Sequence, residues 1–201
     1  MFEVARNKLS VKMKRIARRV AVRRFVRREE GSAAVEFALI LVPFIAMMFA
    51  IMETALVFFA QQTLETAAAD SARLIMTGQA QNAAWQPADF KRRVCDRIYG
   101  LFSCDSSAFV STSTSPNVYV NVQTYSTFGG ISYTPPIDNQ GRMDTSHFGY
   151  NHGGPGDIVV VQLFYQWPIF VSLMDLGSLS NMAAHSRLLV ATAAFRNEPY
   201  N

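Results

Sequence analysis

Apolar and polar positions change rhythm several times along this chain. Residues 1–30 mix Lys and Arg with Val, Ile and Phe, and residues 37–52 are then sixteen apolar positions in a row. Glu53 and Thr54 interrupt, and six more apolar positions follow at 55–60. A surface helix would show a polar residue at every third or fourth place, and this run shows none before Glu53. At ~1.5 Å per residue it reaches roughly 36 Å, enough to cross a hydrocarbon core of ~30 Å with some tilt. Beyond it Leu64, Ala67, Ala68, Ser71, Leu74 and Ile75 recur at three-and-four spacing, the mark of an amphipathic helix. The pattern predicts one helix from about Ala33 to Met76, first in lipid and then as the spine of a soluble domain. Gly78 supplies the stop.

Downstream the elements shorten. Residues 86–100 place Pro87 at the start, Asp89 in the first turn and Gly100 at the end, which predicts a short second helix. Residues 115–130 alternate as a strand, with Val118, Val120, Val122 and Tyr125 placed near one face. Residues 157–168 form a second strand ended by Pro168, and residues 185–199 a third, broken by Pro199. The loop 128–157 holds seven of the chain's eleven glycines, and a loop of that length is usually functional or mobile. The class is α+β: a long N-terminal transmembrane helix continuing as a spine, a short second helix, and a small antiparallel sheet of three or four strands.

Charge decides what the N-terminal arm is for. The formal net charge of +4 is unevenly spread, with +8 on residues 1–30 and −4 on residues 31–201. A basic arm alone suits a nucleic-acid tail, a membrane-surface helix or the cytoplasmic flank of a membrane span. The apolar run selects the flank: the arm is held inside by the positive-inside rule and the C-terminal body is exported to the periplasm. The expected partner is membrane lipid and not nucleic acid. In an oxidising compartment Cys95 and Cys104 favour a disulfide across a short loop, two unrelated buried thiols being the other reading.

Candidate chemistry adds little. His147, His152 and Asp157 lie in the glycine-rich loop, but two histidines five apart on irregular backbone are weak evidence for a metal, and no metal or cofactor is expected. The loop glycines lack the following Lys-Ser/Thr of a phosphate loop, and no nucleophile elbow occurs, so nothing supports an enzyme. Tyr133, Phe148 and Tyr150 read as surface aromatics for adhesion or subunit contact, or as local packing.

The stretch GSAAVEF, residues 31–37, carries the most information. Glu36 sits just inside the apolar run, where a charge costs a few kcal/mol unless it finds a partner. Cutting after Gly31 would make Ser32 an N-terminus whose ammonium is a natural ion-pair partner for that carboxylate. This stretch, in EEGSAAVEFALILVPF, resembles the N-terminus of TadE-like minor pilins (pseudopilins) of the tight-adherence, or Flp, pilus system. In that family a basic leader ends in Gly, a prepilin peptidase cuts after it, and a Glu-Phe or Glu-Tyr pair follows at this offset. The resemblance implies Gly31 and Ser32 as the cleavage pair and Glu36 and Phe37 as the processing and assembly motif. It also makes Glu53 the second glutamate of the family's apolar block, as an intramembrane or interface acid. GDIVVVQLFYQWPIF and ATAAFRNEPY are similar to two later family segments, whereas the leader is long for a prepilin.

On that resemblance the chain divides into a basic cytoplasmic leader, 1–31, a transmembrane and spine helix, 32–78, and an exported domain, 79–201. The implied function is that of a non-enzymatic minor pilin processed by a prepilin peptidase and active in assembly of a Tad/Flp adhesion pilus. Its partners would be that peptidase, sister pilins and the inner-membrane assembly platform. Two other readings stay open. One is an unprocessed, single-span periplasmic scaffold or adhesin-like binding protein. The other is an ordinary secretory signal cut near residues 66–70, disfavoured because the apolar run is too long and the helix continues through those residues.

Overall fold

The computed structural model describes residues 29–98, 100–105, 117–169, 180–183 and 185–199, with the backbone alone for residues 29–32. The basic arm expected over residues 1–28 lies outside the described residues. The chain divides into two compact units, Met1–Ala50 and Ile51–Asn201.

Helix α1 spans Glu29–Met76 and contains Pro43. It begins four residues earlier than the apolar pattern indicates and ends where Gly78 adopts φ 77°, a left-handed conformation open to a residue without a Cβ. Its last carbonyls are satisfied from two directions: the Gly78 N–H donates to the Ile75 carbonyl at 3.0 Å, and the Glu198 N–H donates to that of Met76 at 2.9 Å.

A one-turn helix α2, Gln79–Asn82, follows, and the alternation signal gave no hint of it. Helix α3, Pro87–Arg97, has Pro87 in its first turn, and the Gln86 N–H donates to the Asp89 carboxylate at 3.1 Å. Three strands follow, β1 Val118–Tyr125, β2 Ile158–Pro168 and β3 Ser186–Arg196, in the spatial order β1-β2-β3 with both pairings antiparallel.

The register sorts the side chains into two layers. Val118–Tyr165–Leu189, Val120–Leu163–Ala191 and Val122–Val161–Ala193 form rows across one face. These rows join Ala60, Leu64, Ala67, Ala68, Ala72 and Ile75 of α1 and Phe90 and Val94 of α3 in a single core. Small residues make up most of the face that α1 contributes to this core, which fits the expected spine. The α+β class, the long helix and the three-stranded sheet are as the pattern predicts.

The opposite face departs from expectation. Tyr119, Phe164, Met182 and Leu188 make a second core, with Ile137, Met143 and Phe148 packed against it. Loop 126–157 folds back over the sheet, so β1 is buried on both faces. Tyr125 belongs to this second face by strand parity, and its hydroxyl donates to Gln123 at 3.3 Å. The expected grouping of Tyr125 with Val118, Val120 and Val122 is therefore wrong. The loop also pairs with the outer edge of β1, where Val122 exchanges 2.9 Å bonds with Gly149 and Asn151. Among the described residues this bridge extends the sheet beyond β1 by one residue pair, and Met182 makes another isolated bridge to Ser186 of β3.

Candidate functional site

The sequence points to the N-terminal part of α1, and its chemistry there is that of an apolar rod. Val35, Phe37, Leu39, Ile40, Val42 and Phe44 are exposed, as are Ile51, Met52, Leu56, Phe58 and Phe59 further on. Residues on every side of a helix appear in that set, so no single stripe marks a buried face. The described chain has one helix long and apolar enough to cross a membrane, Ala33–Met76, and its most apolar window is unburied. An exposed apolar surface of this extent marks a lipid or helix-packing face.

Gly31 and Ser32 lie within the helical backbone of α1, and Glu36 and Phe37 are both exposed on it. Glu53 has a different setting. It is 5% exposed and heads the covered stripe that runs through Val57, Ala60 and Leu64 at helical spacing. Its carboxylate thus belongs to the start of the folded domain's helix face, a placement that linear position along the apolar run does not reveal.

Cys95 and Cys104 form a disulfide with Cα atoms 5.6 Å apart, tying α3 to the segment after it. One helical turn before Cys95, Lys91 is fully buried. Loss of hydration lowers its pKa, and the neighbouring Asp105 carboxylate pulls it back up. Asp105 is positioned by Asn117, whose side-chain oxygen accepts from the N–H groups of Asp105 at 3.0 Å and Val118 at 2.8 Å. A lysine at the middle of α3 gives no sequence sign of burial, so this pair was missed.

The other candidates take structural parts. Among the described residues, no group of three or more His, Cys, Asp or Glu comes together, and His147, His152 and Asp157 do not converge. The His152 carbonyl accepts from Gln81 at 3.0 Å and from Asn197 at 2.9 Å, while the Asp157 carboxylate accepts from the Gly154 N–H at 2.8 Å. Gly153, at φ 63°, leaves only 2.9 Å between a built Cβ and the Thr124 methyl, so glycine is needed at this close approach.

The loop aromatics divide. Phe148 stacks on Phe164 at 5.1 Å between ring centres, and Tyr150 meets Phe90 at 5.6 Å. Both anchor the loop to the domain and are not surface groups. Burial and the nearby Asp89 push the Tyr150 hydroxyl up to about 12. Tyr133 alone of the three is exposed.

No curated protein and no solved structure matches the chain. The family model described as TadE-like protein matches residues 31–73. That match opens at Gly31, takes in Glu36, Phe37 and Glu53 and ends before the later segments at 156–170 and 191–200; over this segment, which is most of α1, the chain is similar to TadE-like proteins.

Proposed function

We propose that the chain is a minor pilin or pseudopilin of a Tad/Flp-type adhesion pilus, matured by a prepilin peptidase and active in fibre assembly. The observation that carries this reading is the unburied apolar surface of α1, which lies inside the TadE-like match. Before processing, the span sits in the inner membrane with the +8 arm in the cytoplasm and the domain in the periplasm. Water then adds to the Gly31 carbonyl and the peptide C–N bond breaks, leaving a Gly31 carboxylate on the leader and an ammonium on Ser32.

The cut has two physical consequences. It removes the charge that resists lifting α1 out of lipid, and it creates a cation near Glu36 in a low-dielectric setting, where ion pairing is strong. The mature helix packs with those of sister pilins on the assembly platform, its apolar faces exchanging lipid for neighbouring helices. The role is structural and not catalytic, as for the TadE-like proteins the chain resembles.

The test is the intact mass and first residue of the protein isolated from its native host. Ser32 at the terminus is expected, and a chain still carrying Met1 overturns the processed reading. One observation favours a second reading, an unprocessed periplasmic scaffold: Gly31 and Ser32 are helical, and a peptidase needs that bond in extended backbone. Replacing Glu36 with Ala separates the two in the assembled fibre. A pilin loses fibres far more than it would from a charge change in loop 128–157, whereas a scaffold responds equally to both.

A further inference from the structure

The face of the sheet turned away from the helices carries a cleft of about 380 Å³ that the pilin reading does not use. This is within the range of about 300–1,000 Å³ usual for small-molecule clefts. Amide side chains of β1 and β2 line it together with loop 132–148.

Most of the floor's hydrogen-bonding capacity is already committed. The Asn121 amide donates to the Gln162 side-chain oxygen at 3.1 Å, and its own oxygen accepts from Gln123 at 3.2 Å and from the Gly149 N–H at 3.0 Å. Gln123 also donates to the His147 carbonyl at 3.0 Å. This network fixes Gln162 by its oxygen and, among the described residues, leaves its two amide hydrogens without an acceptor.

On the wall, the Asp144 carboxylate accepts from Ser146, which holds its pKa below the usual carboxylate range, so it stays an ionised acceptor. Tyr133 is 49% exposed, and outside α1 it and Phe128, at 54%, are the only large apolar side chains exposed among the described residues. Pro135 and Pro136 line the same wall.

These features define a ligand by elimination. Asp144 with no Lys or Arg in the lining disfavours an anion, and one carboxylate with the one imidazole of His147 is too little to hold a metal. The fixed amides would be desolvated by a purely apolar guest. An extended peptide adding to the sheet needs a strand edge, whereas this cleft offers only side chains on a sheet face. What remains is a neutral molecule with one flat C–H surface for the electron-rich face of Tyr133 and several hydroxyls that both donate and accept. We propose that the cleft binds a neutral saccharide unit, stacked on Tyr133, accepting from Gln162 and donating to Asp144.

The proposal is independent of whether the chain is cut after Gly31, and its test leaves processing untouched. Full-length protein in lipid nanodiscs, free of sugar-headed detergent, is titrated with cellobiose, maltose, lactose and chitobiose and followed by saturation-transfer NMR and calorimetry. At least one disaccharide is expected to bind with a millimolar Kd. Tyr133→Ala should then weaken it about tenfold and Tyr133→Phe should retain it, because the ring and not the hydroxyl does the stacking.

Gln162→Leu should weaken binding several-fold, while Arg92→Ala, on exposed α3 surface, should leave it unchanged. Tyr133 is half in solvent, so its substitution reports binding and not folding. Absence of binding to all four sugars overturns the proposal, as does binding that survives Tyr133→Ala. A preference for an acidic sugar or a proline-rich peptide in the same assay overturns the assigned ligand class.

Discussion

Two parts of α1 obey different rules although one helix carries both. Between residues 37 and 52 the side chains are apolar on every side, and Phe37, Leu39, Ile40, Val42 and Phe44 are all exposed. Between residues 60 and 75 a single stripe is buried, and it is built mostly of alanine: Ala60, Ala67, Ala68 and Ala72, joined by Leu64, Ser71 and Ile75. The first part solves a solvent problem, presenting apolar surface to a medium without hydrogen bonds. The second solves a packing problem, fitting one helix face into a core shared with a sheet. Helix propensity is served equally by both, so the difference lies in what surrounds each part and not in the helix itself.

Substitutions with opposite readouts test that division. The largest effect is expected from Leu64→Ala, which leaves a cavity in the core at a fully buried position and should cost about 4 kcal/mol of domain stability. Denaturant unfolding followed by tryptophan fluorescence measures it, and Leu39→Ala in the same assay should change nothing. Next comes Ile40→Arg, expected to oppose membrane insertion by about 3 kcal/mol while leaving the domain's unfolding midpoint in place. Membrane fractionation beside the unfolding curve reads both. A shifted midpoint would mean the two parts are not energetically separate.

Away from α1, replacing both Cys95 and Cys104 with Ser removes the tie across a short loop. It should cost about 2.5 kcal/mol, and thiol labelling of the unreduced, denatured wild type should find no free cysteine. The smallest effect has the opposite sign. The Ser71 hydroxyl is buried in the alanine stripe without a hydrogen-bond partner among the described residues, so Ser71→Ala should stabilise the domain by about 1 kcal/mol.

What the chain's pattern made legible follows the reach of the interactions involved. Helix α1, helix α3 and the strands are set by neighbours a few residues apart, and Pro87, Gly78 and the alternating valines declare them. The disulfide was legible because the oxidising compartment expected from the sequence and a short spacing together favour it. The burial of Tyr119, Glu53 and Lys91 was not, since each depends on a segment distant in the sequence. Phe148 and Tyr150 show the same limit: a glycine-rich context reads as an exposed loop, yet Phe164 and Phe90 draw these two rings inward. The cleft was invisible for the same reason, because Gln162 and Tyr133 meet only after the loop has folded over the sheet.

The closing bond of α1 sets an order of events. The Met76 carbonyl takes its partner from the N–H of Glu198, and Asn197 beside it donates to the carbonyls of His152 and Gly154 at 2.9 Å each. The end of this helix is therefore finished by residues made long after it. Local contacts cannot complete such a domain, and its non-local pairings slow folding until β3 and the residues after it are in place. Folding of the domain is thereby tied to the arrival of β3 and the residues just after it, and only then does the fold close the end of its own first helix.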